Sequence, residues 1–320
     1  MTNSKISSVT HAPRDHGGGI DAAIAQWGGT RDSWLDLSTG INPVPYPVGD
    51  FPADAWTALP DKGAQAALIA AARAFWKVPE ALAILAAPGA STLIARIPAL
   101  AAPGRVDIPT PTYNEHAAAF EAQGWQITSD TPNARVLVHP NNPTGRLWSA
   151  ADLTAPLMVI DESFCDICPE ASLIAEARHT GRIVLKSFGK FWGLAGARLG
   201  FAIGDPALIA KLADFIGPWA VSGPALSLGT QALRDEAWAT ETRARLAEDA
   251  KRLDALLVAK GAEVAGGTDL FRLYEVNDVA IWQNKLARSH VWSRIFPYSK
   301  TYLRLGLPAP DRWDQLEAAL

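Results

Sequence analysis

The stretch Ile183-Val-Leu-Lys-Ser-Phe-Gly-Lys-Phe-Trp-Gly-Leu-Ala-Gly-Ala-Arg-Leu-Gly-Phe201 gives the strongest indication of the fold. Apolar runs at its two ends predict buried strands, and the loop between them contains Ser187, Lys190 and Arg198. Open α/β sheets bind ligands at the carboxyl ends of their strands, so this loop lies where a ligand is expected. Desolvation and nearby cations make a lysine amine nucleophilic toward an aldehyde. Ser187 and Arg198 suit a phosphate dianion. The alternative is a surface loop with incidental charges.

Short apolar runs alternate with helix-like stretches on both sides of this segment. They predict buried strands at 83–86, 105–108, 125–128, 136–139, 157–160 and 183–185. Several runs are continuously apolar, which is typical of a parallel sheet covered on both faces. The Ala-rich stretches 64–74 and 93–102 predict packed helices. We therefore expect an α/β protein with a large, mostly parallel central sheet.

The two ends of the chain differ from this middle. Residues 1–50 carry Gly and Pro clusters that indicate an irregular arm. After Pro218 the sequence predicts one long helix over 232–261, strands at 270–283 and 301–305, and an amphipathic helix near 311–319. We expect 1–50 to form an arm and part of a small domain, 51–215 a large ligand-binding domain, and 216–320 the C-terminal small α+β domain.

Composition limits the class of function. The chain has 320 residues, enough for a sizeable core, and a net charge of −4 that predicts no nucleic-acid partner and no anionic membrane surface. No apolar run is long enough to span a membrane, and the first residues lack a signal-peptide pattern, so we expect a cytoplasmic protein. Cys165 and Cys168 form a lone C-x-x-C without further ligands at zinc spacing, so we expect no metal and two buried thiols, with a redox pair as the alternative.

Polar groups follow several of the predicted strands. Asn142 lies in an Asn-Pro-Gly-rich turn and offers an amide donor. Asp161 ends an apolar strand, where a carboxylate needs a partner. We favour a protonated pyridine nitrogen as that partner, with capping of the next turn as the alternative. Tyr113 could stack on a flat ring or be an ordinary half-buried tyrosine. Gly89 to Thr92 begin a predicted helix, whose N-terminal amides can bind an anion.

Over roughly residues 30–310, the sequence resembles the fold-type I pyridoxal 5′-phosphate (PLP) enzymes, the aspartate aminotransferase superfamily. The resemblance rests on five segments in a fixed order: GAST, PTY, HPNNPTG, DESF, and SFGK followed by an arginine. The resemblance implies the PLP-dependent transferase-like fold, PLP as cofactor and an enzymatic function. It implies that Lys190 binds the cofactor as a Schiff base, that Asp161 pairs with the ring nitrogen and that Tyr113 stacks on the ring. Asn142 would contact the ring hydroxyl. The implied phosphate ligands are Gly89, Ala90, Ser91, Ser187 and Arg198. Lys186 lies in the strand and does not fit the motif.

Two N-terminal segments, HGGG at 16–19 and DLSTGINP at 36–43, resemble the threonine-phosphate decarboxylase family of cobalamin biosynthesis, which is close to the histidinol-phosphate aminotransferases. Phe164, where most aminotransferases carry tyrosine, points the same way. Near the C-terminus, WSRIF at 292–296 and YLRL at 302–305 match the two arginine segments of that family. The resemblance implies that the substrate-binding residues are His16, Asn42, Asn142, Arg294 and Arg304. Arg304 would hold the α-carboxylate, and Arg294 with His16 would face the phosphate.

The implied reaction is decarboxylation of O-phospho-L-threonine to (R)-1-aminopropan-2-yl phosphate and CO2 by a homodimer. One departure is Leu59-Pro60-Asp61, where the family usually has Tyr-Pro-Asp with a tyrosine that reaches the partner subunit's cofactor phosphate. We therefore expect weaker cofactor binding. Two alternatives remain: an aminotransferase for histidinol phosphate or a related amino acid, and a non-catalytic PLP-fold protein that acts through assembly.

Overall fold

The predicted central sheet is present in the computed structural model, which describes residues 14–320; the N-terminal stretch considered for a signal peptide lies largely outside the described residues. The sheet has seven strands. In spatial order they are β2 (Ala83–Ala87), β8 (Gly200–Gly204), β7 (Arg182–Ser187), β6 (Leu157–Asp161), β5 (Ala134–Val138), β3 (Arg105–Asp107) and β4 (Gln126–Ile127). Strand β8 runs opposite in direction to the other six strands. All six strands expected from the apolar runs lie in this sheet.

Helices cover both faces of the central sheet. One face packs against α3 (Lys62–Phe75), α7 (Gly223–Arg234) and α8 (Glu236–Val258), and the other against α4 (Ala90–Arg96), α5 (Asn114–Ala122) and α6 (Pro206–Ile216). Along β6, Met158 and Ile160 belong to the first core and Val159 to the second, and all three side chains are fully buried. Each such side chain contributes about 1.5–3 kcal/mol of hydrophobic free energy. Burial on both faces explains the continuous apolar runs.

The C-terminal third has an antiparallel sheet of its own. Its order is β12 (Arg294–Ile295), β13 (Tyr302–Gly306), β10 (Phe271–Glu275) and β9 (Glu263–Thr268). It is accompanied by α9 (Val279–Arg288) and α10 (Trp313–Ala319). The expected α+β region beside the large sheet is thus present, whereas the expected domain boundaries near residues 50 and 215 stay predictions.

The N-terminal segment joins this C-terminal region. Strand β1 (Leu35–Asp36) pairs in parallel with β11 (Val291–Trp292). Behind this pair, α1 (Ile20–Trp27) contributes Ile20 and Ala23 to a small core shared with Trp34 and Ala287. The short helix α2 (Asp54–Thr57) then leads back to the large sheet. The first strand is therefore held by residues more than 250 positions later in the chain.

Three predicted elements differ from the structure. The strand at 270–283 is wrong beyond Glu275, because Asp278 accepts hydrogen bonds from the backbone N–H groups of Ala280 and Ile281 and begins helix α9. The single helix over 232–261 is wrong, because Asp235 ends α7 and caps α8. The helix over 93–102 ends at Arg96 and continues as a 3-10 turn, where Pro98 lacks an N–H donor.

Across residues 14–320, none of the helices combines the length and the apolar character that a membrane crossing requires.

Candidate active site

A cavity of about 940 Å³ lies between the carboxyl ends of the central strands and the second sheet. Residues after β3, β5, β6 and β7 line it on one side, and residues of β12 and β13 on the other. A smaller cavity of about 130 Å³ adjoins it, and four side chains line both: Tyr113, Asn142, Phe164 and Lys190. The fold thus brings together loops that are far apart in the sequence.

The Lys190 amine is buried in this site. Its backbone carbonyl accepts a hydrogen bond from the N–H of Asn42 at 3.0 Å, which fixes the loop between β7 and β8. Its Nζ atom lies 5.2 Å from the centre of the Phe164 ring. Burial and the positive charge of Arg304 lower the pKa of Lys190 to about 8, although Asp161 opposes the shift. The amine is therefore available as a nucleophile at mildly alkaline pH.

Asp161 presents an ionised carboxylate in the smaller cavity. One oxygen accepts hydrogen bonds from the Ser163 N–H at 3.0 Å and from the Ser163 hydroxyl at 2.5 Å. The other lies 2.8 Å from Nε2 of His116. Burial alone would raise the pKa of Asp161, but the hydrogen bond and charge of His116, together with Ser163, lower it below its usual value. Asp161 is thus held as an anion in a buried environment.

His116 and Ser163 are site residues that the sequence analysis missed. His116 lies three positions after Tyr113, so the two side chains share one face of the first turn of α5. Their rings are 6.1 Å apart. The Tyr-x-x-His spacing after a predicted strand could have indicated that His116 lies in the site. Ser163 follows Asp161 by two residues, a spacing typical of a turn in which the acid accepts from the backbone.

The other end of the smaller cavity suits a phosphate. Ala90, Ser91, Ser187 and Arg198 line it. Gly89 does not line the cavity but makes room for it: its φ of 81° is left-handed, and a Cβ atom there would collide with the guanidinium of Arg198. The Arg198 guanidinium is also fixed by a hydrogen bond from Nη1 to the Ala195 carbonyl at 3.1 Å.

These residues fit the PLP that the resemblance implies. A carboxylate at one end suits a protonated pyridine nitrogen, hydroxyls and a guanidinium at the other end suit the phosphate, and the Lys190 amine suits the aldehyde. Tyr113 is partly buried and lines both cavities, as a ring-stacking residue would. Burial and the charge of Glu115 raise the pKa of Tyr113 to about 12, so its phenol stays protonated at neutral pH.

Arg304 is the buried cation on the opposite wall. It is 5% exposed, and its Nη2 donates to the Ser38 carbonyl at 2.5 Å. Its Nη1 donates to Oδ1 of Asn142, which leaves the amide nitrogen of Asn142 as the donor for a ligand. The Nε atom of Arg304 has no hydrogen-bond partner within the described residues. A buried donor without a partner indicates that an acceptor is missing here.

Arg294 and His16 also line the larger cavity, and each has an acidic partner. Arg294 makes a two-pronged ion pair with Asp15, at 2.5 and 2.7 Å. Nε2 of His16 lies 2.8 Å from Glu115. Arg294 and Arg304 are direct partners across strands β12 and β13. Two like charges in this position repel each other, so the pair is stable only with anions nearby.

Asn42 is a correction to the expected substrate-binding set. It is 2% exposed and lines neither cavity. Its amide nitrogen donates to the Phe191 carbonyl at 2.8 Å, and its Oδ1 accepts from Arg245 at 2.7 Å. Asn42 therefore supports the loop that carries Lys190 without access to a substrate.

Lys186 lies outside the site, as the sequence analysis expected. Its Nζ atom is 2.8 Å from Glu162 and 3.2 Å from Asp166, and all three side chains are buried. Burial alone would lower the pKa of Lys186, but the two carboxylates raise it well above the usual range. Nearby, Cys165 is buried, Cys168 is half-buried, and both are free thiols.

Comparisons with known proteins identify the family of this chain. The family model "Aminotransferase class I and II" matches residues 126–319. The threonine-phosphate decarboxylase of a Sinorhizobium species is 40% identical, and the match covers 94% of this chain and 95% of that protein. The threonine-phosphate decarboxylase of Pseudomonas aeruginosa is 38% identical over 96% and 97% of the two chains.

A solved structure, the histidinol-phosphate aminotransferase from Sinorhizobium meliloti in complex with pyridoxal 5′-phosphate, superposes with a TM-score of 0.80 at 19% identity and covers 94% of this chain and 93% of that one. At this identity the likeness supports the fold, which is the PLP-dependent transferase-like fold expected from the sequence. With the family model matching more than half of the chain, this protein belongs to the class I and II aminotransferase family.

Proposed function

We propose that this protein is a PLP-dependent lyase that decarboxylates O-phospho-L-threonine to (R)-1-aminopropan-2-yl phosphate and CO2, a step in cobalamin biosynthesis. The observation that carries the proposal is the cross-strand pair of Arg294 and Arg304 in the cavity that contains the Lys190 amine. Two cations opposite one amine suit an amino acid with two anionic groups, its carboxylate and a phosphate. The two near-full-length relatives named threonine-phosphate decarboxylase support the same substrate.

The substrate roles follow from burial. Arg304 is buried and has a free Nε donor, so it is the proposed ligand of the α-carboxylate. Arg294 is nearer the entrance, where the side chain of His16 is 42% exposed, and these two are the proposed phosphate ligands. Arginine can bind carboxylate and phosphate through two parallel hydrogen bonds, which fixes orientation as well as charge.

The cofactor roles are proposals of the same kind. Lys190 is the proposed covalent ligand, Asp161 the partner of the ring nitrogen, Asn142 the donor to the ring hydroxyl and Tyr113 the stacking ring. Gly89, Ala90, Ser91, Ser187 and Arg198 are the proposed phosphate loop. When bound, PLP supplies a cationic ring that accepts the electron pair released at the substrate α-carbon.

The protein residues determine which bond breaks and where protons move. Arg304 fixes the carboxylate, so the direction of the Cα–carboxylate bond relative to the ring is set by a buried side chain. Asp161 keeps a proton on the ring nitrogen through an anion stabilised by His116 and Ser163. With PLP and substrate bound, the Lys190 amine would be the group that holds a proton on Nζ and returns it to the substrate α-carbon.

The test is incubation of the purified protein with PLP and O-phospho-L-threonine while CO2 and the amine product are measured. We expect one CO2 per substrate consumed and no need for a 2-oxo acid. Lys190→Ala should lose turnover and the absorbance of the lysine-bound cofactor. Lys211→Ala, which removes an exposed lysine of α6, is the matched control and should retain both.

Two outcomes would support the alternatives instead. A requirement for a 2-oxo acid without CO2 release would identify an aminotransferase. No lysine-dependent absorbance with added PLP would favour a non-catalytic assembly role. The lowered pKa and burial of Lys190 speak against the second alternative, since both tune an amine for chemistry.

A homodimer is part of the proposal. Five large apolar side chains are exposed on two segments that approach each other: Val48, Trp56, Leu59, Phe215 and Trp219. A Cβ atom at Gly223 would collide with the Ala55 carbonyl, so helix α2 lies directly on the start of α7. Exposed apolar groups of this kind mark protein interfaces. Leu59, which replaces the usual tyrosine, belongs to this surface. The proposed compartment is the cytoplasm, where two free thiols persist.

A further inference from the structure

Asp15 and His16 line the larger cavity, and the segment Arg14–His16 makes contacts on two sides. On the side of the central sheet, the Arg14 guanidinium makes two hydrogen bonds with Glu115, at 2.6 and 2.8 Å, and Glu115 also contacts His16. Asn114 donates to the Asp15 carbonyl at 2.9 Å. On the opposite side, Arg294 holds the Asp15 carboxylate. The segment therefore bridges the two walls of the cavity.

The guanidinium of Arg294 is almost fully engaged by this segment. Besides the two bonds to the Asp15 carboxylate, Nη1 donates to the His16 carbonyl at 2.9 Å and Nη2 to the Asp15 carbonyl at 3.0 Å. The Arg294 side chain is 12% exposed and the Asp15 side chain 41% exposed. The cation is thus largely buried, whereas the anion that neutralises it can still reach solvent.

Charge explains why an anion is needed at this position. Arg294 and Arg304 face each other across the strands, and Arg304 has no carboxylate within ion-pair distance among residues 14–320. Without Asp15, the two guanidinium groups would face each other with no carboxylate of residues 14–320 in ion-pair contact with either of them. Asp15 therefore neutralises a site that is built to hold negative charge.

We propose that Asp15 is a specificity-determining residue, an internal anion that a phosphate group must displace from Arg294 before a ligand can bind. Asp15 and His16 take all four Nη hydrogens of Arg294, so a phosphate can form a two-pronged contact only when the Asp15 carboxylate leaves, and the two like charges also repel. A phosphate dianion carries more charge than the carboxylate and replaces it, whereas an amino acid without a phosphate cannot. The identity of the phosphorylated ligand rests on the proposed function, but the competition itself does not.

The test uses the PLP-loaded protein with inorganic phosphate as the probe, measured by calorimetric titration, so no turnover is involved. Asp15→Asn removes the competing charge, and we expect the Kd for phosphate to fall by about threefold to tenfold. Asp15→Glu restores the carboxylate and should return the Kd toward the parent value. Arg294→Gln should raise the Kd above the parent value, because the cation itself is lost.

The matched control is Asp21→Asn. Asp21 is also an acid paired with an arginine, Arg31, at 3.1 Å, but both side chains are highly exposed and neither lines the cavity. This variant should bind phosphate like the parent. In kinetics with O-phospho-L-threonine, Asp15→Asn should lower KM with little change in kcat, since the contact is made before the chemical step.

The inference is overturned if Asp15→Asn leaves the phosphate Kd within twofold of the parent or weakens binding, because then Asp15 does not compete. A tighter phosphate Kd in a protein that releases no CO2 from O-phospho-L-threonine would sustain the inference and refute the proposed reaction. An unchanged or weaker phosphate Kd in Asp15→Asn, together with CO2 release from O-phospho-L-threonine, would support the proposed reaction and refute the competition.

Discussion

At the scale of residues, two lysines four positions apart, Lys186 buried and Lys190 half-buried, have opposite environments. Lys186 lies between Glu162 and Asp166, whose charges raise its pKa. Lys190 has no carboxylate within ion-pair distance in the described part of the chain, and desolvation together with the charges of Arg304 and Arg198 lowers its pKa. The difference arises from strand geometry, because Lys186 is still within β7 and Lys190 is in the loop beyond it. The position of a lysine in the fold therefore determines whether its amine is reactive.

The lowered pKa of Lys190 predicts a pH-dependent stability of the protein without PLP. Below about pH 8 the amine is protonated in the folded and the unfolded chain, and the folded state bears the full cost of the buried charge. Between about 8 and the ordinary value of 10.5, the unfolded chain binds more protons, so the free energy of unfolding rises with pH. Lys190→Met should therefore stabilise the protein by roughly 3 kcal/mol at pH 7.

Urea unfolding of Lys190→Met and the parent at pH 7 and near pH 10 measures this effect. The gain at pH 7 should shrink strongly at the higher pH. Lys211→Met, at an exposed position, is the control and should show no such difference between the two pH values. An equal gain at both pH values would contradict the prediction, because it would arise from packing and not from the charge.

The sequence located some site residues and missed others for a physical reason. Lys190, Asp161 and Asn142 follow apolar strands, so strand order alone brings them to one edge of the sheet. Asn42 was misassigned because its partner Arg245 lies 203 positions away, and no local pattern indicates that contact. Asp15 was missed for the same reason, since Arg294 reaches it across 279 positions.

At the scale of elements, the turn before α4 is a test of the proposed phosphate loop. Gly89→Ala should weaken PLP binding by about tenfold or more, because the new Cβ displaces the Arg198 guanidinium that binds the phosphate. Titration of the PLP-free protein with PLP, followed by absorbance, measures the Kd.

Gly217→Ala is the matched control for this prediction. Gly217 has a φ of 80°, close to the 81° of Gly89, but a Cβ atom there would meet nothing within 4 Å. Both variants carry the same backbone strain, on the order of 1 kcal/mol. An equal PLP Kd in the two variants would contradict the prediction, because contact between the new Cβ atom and Arg198 would then have no effect on PLP binding beyond that of backbone strain.

The strands of the central sheet were predictable from periodicity, whereas helix α9 and the ends of several elements were not. The strands of the central sheet follow from continuous apolar runs that burial on both faces requires. The break at Asp235 interrupts a stretch whose composition favours one helix throughout. Capping of α8 by the Asp235 side chain competes with continuation of α7. Which of the two forms depends on how α8 packs. Local sequence contains the cap but not that packing.

At the scale of the whole molecule, the exposed apolar surface predicts the oligomeric state. The parent should behave in solution as a particle of twice the chain mass of 34.2 kDa. Trp56→Glu places a charge on the most exposed of these side chains and should shift the protein toward a single chain, measured by light scattering after gel filtration. Ile281→Glu, on α9, alters a similarly exposed apolar residue elsewhere and should leave the mass unchanged. A parent that already has the mass of one chain would refute the homodimer.

The parallel pairing of β1 with β11 has a consequence for synthesis. Residues 20–36 leave the ribosome about 250 residues before Ala287, Val291 and Trp292, which they contact. While the central strands can already pair with one another, the arm waits with Ile20, Trp34 and Leu35 uncovered. A chaperone that shields residues 20–36 would therefore have to stay bound until residues 287–292 have been synthesised.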